Sequence, residues 1–218
     1  SLSSSPSTED VILLMKYLAG WNVSIGYYTV MYSNKKINAP YEDSTLKLYF
    51  DDSMVKRDKN DASSTGLNSY LIKSAKNEIE FTQMFLVSST GHSNLSISLS
   101  DFKDSRNNSF RSSILWEYYF KVNDAENGKE VYYADALPPV EEKFDLTKRK
   151  SQGFVIKAFP SDDTPAGLYE ATVEVKDGAK VIKCAKVYCQ VWNFALSDAT
   201  ECATAFGMSS YEIYLNHG

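Results

Sequence analysis

The sequence has 218 residues, of which 43% are hydrophobic, so it can supply a buried core for one large domain or two small ones. Its 23 Lys and Arg and 28 Asp and Glu give a net charge of −5. The longest basic run is Lys148, Arg149 and Lys150, which is too short for a nucleic acid surface, and no apolar run approaches the ~20 residues of a membrane span. A neutral ligand such as a sugar remains compatible with this composition.

The first predicted element is a short amphipathic helix. Ser7 is placed to cap it, Asp10 follows at the third helical position, and Gly20 ends it. Apolar side chains recur at helical spacing at Val11, Leu14, Met15 and Leu18. A helix of about 12 residues is marginal alone, so we expect it to pack on the rest of the protein.

The same stretch resembles the helix of a type I dockerin half-repeat. The matching positions are Asp10, Leu14, Tyr17, Leu18 and Gly20. The preceding residues SLSSSPSTE lack the spaced Asp or Asn ligands and the central Gly of a calcium loop, so no metal site is predicted. Residues 1–22 are therefore either a dockerin remnant or an ordinary docked helix.

From Trp21 onward the apolar pattern changes to a period of two. The β-like runs, separated by Gly, Asn, Asp, Ser or Pro clusters, are YYTVMY, TLKLYF, FTQMFLV, LSISLSDF, SILWEYYFKV, GFVIKAF, LYEATVEV and VIKCAKVYCQVW. No helical segment of similar length interrupts them. This pattern predicts an all-β fold over residues 23–207, an antiparallel two-layer β-sandwich of immunoglobulin, fibronectin or jelly-roll type, with Asp51–Gly66 as a surface loop.

The run DDTPAGLYEATVEV predicts a strand with one buried face. Its inward residues are Tyr169, Ala171, Val173 and Val175, and its outward residues are Glu170, Thr172 and Glu174. Asp177-Gly178 then predicts a tight hairpin that sets Val173 and Val175 opposite residues 181–187.

The three cysteines predict neither a disulfide framework nor a zinc site. Cys184 and Cys189 fall on opposite faces of one predicted strand, roughly 16 Å apart at ~3.3 Å per residue, so they cannot bridge each other. Cys202 stands alone. The sequence begins without Met or a basic leader, and we expect a piece of a longer, soluble product.

Four ordered stretches carry a second resemblance: AKNEIEFTQMFL, YYADALPPV, FPSDDTPAGLYEATVEV and VWNFALSDATECATAFG. Together they resemble the amino-terminal β-sandwich of bacterial glycoside hydrolase family 123 and related proteins. The sequence departs from the family pattern at Ala171, Asn193 and Ser197, which bears on how the exit strand packs on its neighbour.

The resemblance implies a supporting role for this chain. In that family the sandwich precedes a (β/α)₈-like barrel, where an adjacent Asp-Glu pair acts on an N-acetylhexosamine with help from its own acetamido group. The expected partner is thus a catalytic barrel in the same protein, with residues 208–218 as the start of the linker. The resemblance also implies a secreted bacterial protein, extracellular or at the cell surface. No catalytic residue and no cofactor are expected in this chain.

The carboxylates and histidines give no catalytic pattern. The adjacent acid pairs are Glu9-Asp10, Glu42-Asp43, Asp51-Asp52, Glu141-Glu142 and Asp162-Asp163. All occur in predicted turns, caps or polar stretches, where we expect water to keep both members ionised. His92 follows Ser88-Ser89-Thr90-Gly91, which is typical of a polar loop, and neither His92 nor His217 has metal ligands at suitable spacing. A Ser-His nucleophile arrangement stays open, without a nucleophile-elbow motif.

The run ILWEYYFKV holds the densest aromatic cluster. Trp116, Tyr118 and Phe120 alternate onto one predicted face and Tyr119 falls on the other, with Tyr133 a short loop away. This pattern is typical either of a core-facing strand or of a platform on which sugar rings stack.

The loop around Asp135 is the other candidate contact. Pro138 and Pro139 stiffen it and Tyr133 flanks it, which suits a fixed contact at a domain junction or with a glycan hydroxyl. We expect Asp135 to be buried against the barrel in the full protein. The predicted function is a non-catalytic accessory domain of a glycoside hydrolase. The alternatives are an autonomous carbohydrate-binding module that uses Trp116, Tyr118 and Tyr133, and a structural or adhesive sandwich with no glycan role.

Overall fold

The computed structural model describes residues 34–123, 128 and 130–197, together with Met15. Apart from Met15, the expected helix with its dockerin-like signature lies outside the described residues, as do Cys202, His217 and residues 208–218. The boundaries predicted at residues 22 and 207 therefore stay predictions. None of the helices in the described part of the chain is long and apolar enough to cross a membrane.

The described chain is nearly all β, as the period-two alternation predicts. Its strands are β1 (Leu46–Asp51), β2 (Ser69–Lys76), β3 (Glu80–Ser88), β4 (His92–Leu99), β5 (Phe102–Lys103), β6 (Ser109–Phe110), β7 (Ser112–Trp116), β8 (Tyr118–Asn123), β9 (Glu130–Ala136), β10 (Phe144–Leu146), β11 (Ser151–Ala158), β12 (Gly167–Asp177) and β13 (Lys180–Ala195).

These strands form three sheets. The first sheet has the order β1-β3-β11-β7, and the second has the order β10-β4-β12-β13-β2, with β5 and β6 attached beside β12. The hairpin of β8 and β9 forms a separate two-stranded sheet. It directly follows β7, so the first sheet and the hairpin are joined at Glu117.

The two large sheets enclose one core. Phe50, Met84 and Phe154 enter it from the first sheet, and Leu95 and Val187 enter it from the second. A smaller cluster of Tyr49, Phe85 and Val87 packs apart from this core. Both large sheets therefore depend on the same buried surface for their stability.

The loop between β1 and β2 packs over that smaller cluster. The Arg57 guanidinium lies 5.6 Å from the Tyr49 ring centre and 5.7 Å from the Phe85 ring centre, within the range of cation–π contacts. Arg57 also pairs with Asp51 at 2.5 Å and with Asp61 at 3.0 Å. The segment predicted as a loop lacks strands after Asp51, and its charged residues anchor it to the sheet.

The β12–β13 hairpin confirms the prediction made from its sequence. Val173 pairs with Ala185 and Val175 pairs with Lys183, and Gly178 in the connection has φ 57°. The four residues predicted to face inward are at most 1% exposed. The Tyr169 hydroxyl donates a hydrogen bond of 2.7 Å to the Pro165 carbonyl, which holds the turn that precedes β12.

One strand pair differs from the antiparallel prediction. β2 pairs with β13 in parallel, from Ser69 opposite Lys186 to Lys76 opposite Ala195. Parallel neighbours need a long connection, and here the chain between β2 and β13 supplies it, including β3, β7 and β11 of the first sheet. Side chains alternate between the two faces of a strand whatever the direction of its neighbour, so the period-two pattern alone did not distinguish the two directions.

A strap of residues 34–45 lies across the start of β13. The backbone N–H groups of Tyr41 and Asp43 donate to the Val181 and Ile182 carbonyls at 3.1 and 3.0 Å. Between them, Glu42 accepts a hydrogen bond from the buried Lys183 ammonium. Burial alone would raise the pKa of Glu42, but hydrogen bonds from Lys183, the Ala39 N–H and Lys36 outweigh it and lower the pKa to about 2.

We expect Glu42→Gln to lower the free energy of unfolding by about 3 kcal/mol at pH 7, because it leaves the Lys183 ammonium buried without its carboxylate. Urea denaturation of the variant and the parent measures the difference. Glu170→Gln, which breaks the exposed Glu170–Lys186 pair, is the matched control and should cost less than about 1 kcal/mol. Equal losses in the two variants would contradict the role assigned to the strap.

Candidate functional site

The structure divides the predicted aromatic face into two parts. Trp116 ends β7 and packs edge-on against Phe144 and Phe154, with ring centres 5.4 and 5.2 Å away, beside the main core. Tyr118 and Phe120 lie on the separate hairpin, 51% and 45% exposed. The strand break at Glu117 causes this separation, because it ends the alternation that would have placed all three rings on one face.

The exposed pair of the hairpin is the arrangement that could contact a ligand. The Tyr118 and Phe120 rings are 5.1 Å apart and tilted by 59°. Tyr133 pairs with Phe120 across the hairpin and is half-buried. Aromatic rings held at this spacing offer an apolar surface with one polar hydroxyl, which suits the mixed faces of a sugar.

Asp135 lies in β9, where the pairing with β8 is irregular. Ala134 pairs with Tyr119 and Ala136 pairs with Tyr118, so Asp135 is the extra residue of a bulge, and it is exposed. The two prolines that follow run alongside β7, where the Trp116 N–H donates to the Pro138 carbonyl at 2.8 Å. The expected burial of Asp135 against a further domain stays a prediction.

Glu117 is a buried carboxyl that the sequence analysis did not single out. Its side chain is 3% exposed, and the Tyr119 hydroxyl donates to it at 3.0 Å. Burial raises the pKa of Glu117 to about 7, against the smaller opposing effect of that hydrogen bond. Burial also raises the pKa of Tyr119, and the neighbouring Glu117 adds to this shift. The available signal was the single carboxyl inside the aromatic run WEYY.

Gly153 makes room for this carboxyl. A Cβ atom at Gly153 would lie 1.9 Å from Glu117 Oε2 and 2.9 Å from Phe85 Cε1. The backbones are joined at the same point, because the Glu117 N–H donates to the Gly153 carbonyl at 3.1 Å. Gln152 adds a side-chain hydrogen bond to the Glu117 carbonyl at 3.0 Å.

The adjacent acid pairs do not form a catalytic pair in the described structure. Glu141, Glu142, Asp162 and Asp163 are exposed, as expected for solvated charges. The expectation was wrong for Asp51, which is 8% exposed and paired with Arg57, because the loop after β1 folds back over it. Glu42 and Asp43 also hold structural contacts, and Glu9-Asp10 lies outside the described residues.

His92 begins β4, directly after the turn at residues 89–91, and joins a hydrogen-bonded series of three side chains. His92 Nδ1 lies 2.8 Å from Ser88 Oγ, and Nε2 lies 2.8 Å from Asp43 Oδ2. Ser88 is fully buried, and its Oγ accepts hydrogen bonds from the N–H groups of Thr90 and Gly91. Backbone donors enclose this hydroxyl. The hydrogen bonds among Asp43, His92 and Ser88 therefore stabilise the β3–β4 turn, and Ser88 is not presented as a nucleophile.

The hydrogen bonds to Asp43 keep its carboxylate ionised. Burial would raise its pKa, but hydrogen bonds from Thr45 and His92 outweigh burial and bring the pKa to about 2.

Within the described ranges no group of three or more His, Cys, Asp and Glu side chains is arranged to hold a metal. Cys184 and Cys189 are free thiols, and burial raises the pKa of Cys189 to about 12.

Two shallow depressions occur elsewhere on the surface. One of about 540 Å³ lies between β4 and the segment after β9, with Ile97, Ile114 and Val140 among its lining residues. The other, of about 300 Å³, includes Tyr70 and Glu80 in its lining. Glu117 lines neither of them.

We expect Gly153→Ala to lower the free energy of unfolding by about 2 kcal/mol, because the added methyl group displaces the Glu117 carboxyl and crowds Phe85. Gly167→Ala is the matched control, since its Cβ would approach nothing closer than 4.0 Å. Thermal or urea unfolding of both variants measures the difference. Comparable stability in the two variants would show that the close contact at Gly153 has no energetic weight.

Comparison with known proteins gives a similarity in fold. No family model and no curated protein matches this sequence. A family 123 glycoside hydrolase from Clostridium perfringens, studied for the hydrolysis of glycolipid glycans, matches with a TM-score of 0.61 and 15% identity over 70% of this chain. The matched region spans only 28% of that hydrolase.

Other similar structures are more distant. They include AvmM, which catalyses macrocyclization in alchivemycin A biosynthesis (TM-score 0.38, 8% identity, 77% of this chain and 100% of that one), and the N-terminal domain of PorA (TM-score 0.33, 7% identity, 69% and 99%). Such low scores carry no argument about this chain. At 15% identity the hydrolase shows the fold alone: this chain folds like a part of a family 123 glycoside hydrolase.

Proposed function

We propose that this chain is a non-catalytic accessory β-sandwich domain of an extracellular bacterial glycoside hydrolase that acts on N-acetylhexosamine-containing glycans. The observation that carries the proposal is the fold similarity, which covers 70% of this chain but 28% of the hydrolase. A region of that size accounts for one domain of a larger enzyme. The catalytic barrel would follow in the same polypeptide, with residues 208–218 as the start of its linker.

The surroundings of the buried Glu117 carboxyl support a non-catalytic role for that residue. Most glycosidases hold two carboxyl groups across the scissile bond, and one of them has a raised pKa. Burial raises the pKa of Glu117, and the only other contribution is the opposing hydrogen bond from Tyr119, so no second carboxyl acts on it. Burial, with Glu78 and Asp52, also raises the pKa of Glu80, which is only partly buried and lines the shallow depression of about 300 Å³. Glu117 is also only 3% exposed and lines neither of the two depressions described above.

The sandwich type and the short amino-terminal helix are part of this proposal. The shared core of the two large sheets supports two packed layers, as in an immunoglobulin-like, fibronectin-like or jelly-roll fold. The dockerin-like signature in residues 7–22 belongs either to a dockerin remnant or to an ordinary helix docked on the sandwich.

We expect this 218-residue chain to release no nitrophenol from p-nitrophenyl N-acetyl-β-hexosaminides above the buffer blank. The same chain extended through the following barrel should turn these substrates over, because the catalytic pair would then be present. A Glu117→Gln change in the extended protein should leave kcat within about twofold. Hydrolysis by the 218-residue chain alone, abolished by Glu117→Gln, would contradict the accessory role.

A second candidate function is glycan binding by the hairpin. The observation in its favour is the half-exposed pair of Tyr118 and Phe120, whose rings lie 5.1 Å apart. If neither hydrolysis nor glycan binding involves this domain, the structural or adhesive alternative gains support.

If the hairpin binds glycans, Tyr118→Ala should weaken glycan affinity about tenfold, which corresponds to ~1.4 kcal/mol. Isothermal titration calorimetry with a glycan selected on an array measures the change, and the melting temperature shows whether the fold is kept. Tyr41→Ala is the control, since Tyr41 is 60% exposed in the strap, away from the hairpin. Trp116→Ala is unsuitable as a test because it removes a ring that packs beside the core. An unchanged affinity in Tyr118→Ala would contradict this function.

A further inference from the structure

Glu117 lies at the hinge between the first sheet and the β8–β9 hairpin. β7 ends at Trp116 and β8 begins at Tyr118, so the buried carboxyl belongs to the residue that joins them. Among the described residues its carboxyl accepts one hydrogen bond, from Tyr119 on the hairpin. Burying an ionised carboxylate with so little compensation is costly, whereas a protonated one is tolerated.

The walls around this carboxyl provide no balancing positive charge. Gly153 of β11 and Phe85 of β3 lie beside it and are uncharged. The Arg57 guanidinium lies 5.7 Å from the Phe85 ring centre, but it pairs with Asp51 and Asp61 and does not contribute to the pKa of Glu117. Tyr119 faces it from β8, and the Tyr49 hydroxyl of β1, which lies near Tyr119, is buried without a hydrogen bond of normal geometry. The ammonium of Lys59, in the loop between β1 and β2, lies over the Tyr119 ring at 5.4 Å and does not contribute to the pKa of Glu117.

Both ends of the hairpin are tied to the first sheet, through the Glu117 N–H on the Gly153 carbonyl and the Trp116 N–H on the Pro138 carbonyl. Between these ends the described hairpin has few attachments. The Lys59 N–H donates to the Tyr132 carbonyl at 3.0 Å, and the Tyr132 N–H donates to Asp58 Oδ1 at 3.3 Å. Its outer residues, including Phe120 and Val122, are exposed. The walls formed by Gly153 and Phe85 belong to the fixed first sheet, so the hairpin is the element that can move away.

We propose that the β8–β9 hairpin is a proton-controlled arm, which is docked on the first sheet while Glu117 carries a proton and is released when Glu117 ionises. Release would let water reach the carboxylate without disturbing the core, and it would move the exposed Tyr118 and Phe120 pair. All the residues that control this movement belong to this chain, so the pH response does not require a catalytic barrel.

The direction of the pH response follows from the pKa of Glu117. That pKa is about 7 in the docked state and near its ordinary value of 4.5 when the carboxyl is in water, so the docked state binds the proton more tightly. Docking is therefore strongest below about pH 4.5 and weakens as the pH rises towards 7. Above about pH 7 the docking equilibrium should be weaker by up to about 300-fold, the factor that the difference between the two pKa values allows.

Hydrogen exchange of the full 218-residue chain at pH 5 and pH 8 tests this proposal. After correction for intrinsic exchange rates, we expect the protection of amides in residues 119–123 and 130–134 to fall at least tenfold between the two pH values. Amides of β12 and β13 serve as the internal reference and should change less than threefold. Equal hairpin protection at both pH values, or a parallel loss in β12 and β13, would overturn the proposal.

Two variants identify the responsible carboxyl. Glu117→Gln keeps the size of the side chain but cannot ionise, so its hairpin protection should be equal at pH 5 and pH 8. Glu142→Gln, which changes an exposed carboxyl, should respond as the parent does. A Glu117→Gln variant that loses protection like the parent would refute the assignment.

A titration of the parent keeps the proposal testable if Glu117→Gln does not fold. The ¹³C shift of the Glu117 carboxyl, followed from pH 3 to pH 9, should change with a midpoint near that of hairpin release. A midpoint near the ordinary value of 4.5 would overturn the proposal.

Discussion

The shared core between the two large sheets is the constraint on which the rest of the structure depends. Each sheet turns one row of side chains into that core, as Met84 and Phe154 do from one side and Val173 and Val187 from the other. A shift of one residue in any of these strands would turn its apolar row towards water. The register is therefore fixed by burial, and the fixed register in turn decides where the hairpin, the strap and the loops can attach.

Much of this architecture can be predicted from local sequence. The alternation from Tyr169 to Val175 and the turn at Gly178 predict the β12–β13 hairpin, because both signals act within a few residues. The scarcity of helical periodicity after Trp21 likewise predicts an all-β chain. The direction of pairing between β2 and β13 is a property of the assembled sheet, and the pattern of either strand alone does not contain it.

The candidate site was harder to predict from the sequence, because its contacts also depend on how the sheets assemble. Trp116 and Tyr118 are two residues apart and match one face of a strand, yet the chain leaves the first sheet between them. The burial of Glu117 depends on Gly153, and the contact between His92 and Asp43 joins residues far apart in sequence. Such contacts arise only after the sheets have assembled, so composition and spacing assign these residues to polar or aromatic surroundings without showing which are buried.

The parallel pairing of β2 with β13 also bears on how the chain folds. Ser69 and Lys186, which face each other in that ladder, are more than a hundred residues apart. Closing so large a loop costs entropy before the contact stabilises anything, and distant pairings of this kind slow folding. During synthesis β2 emerges long before β13. The backbone groups of β2 that pair with β13 therefore stay without these partners until the ribosome has produced most of the domain. An unpaired strand edge can pair with other polypeptides, and a chaperone that covers this edge would prevent such pairing in the nascent chain.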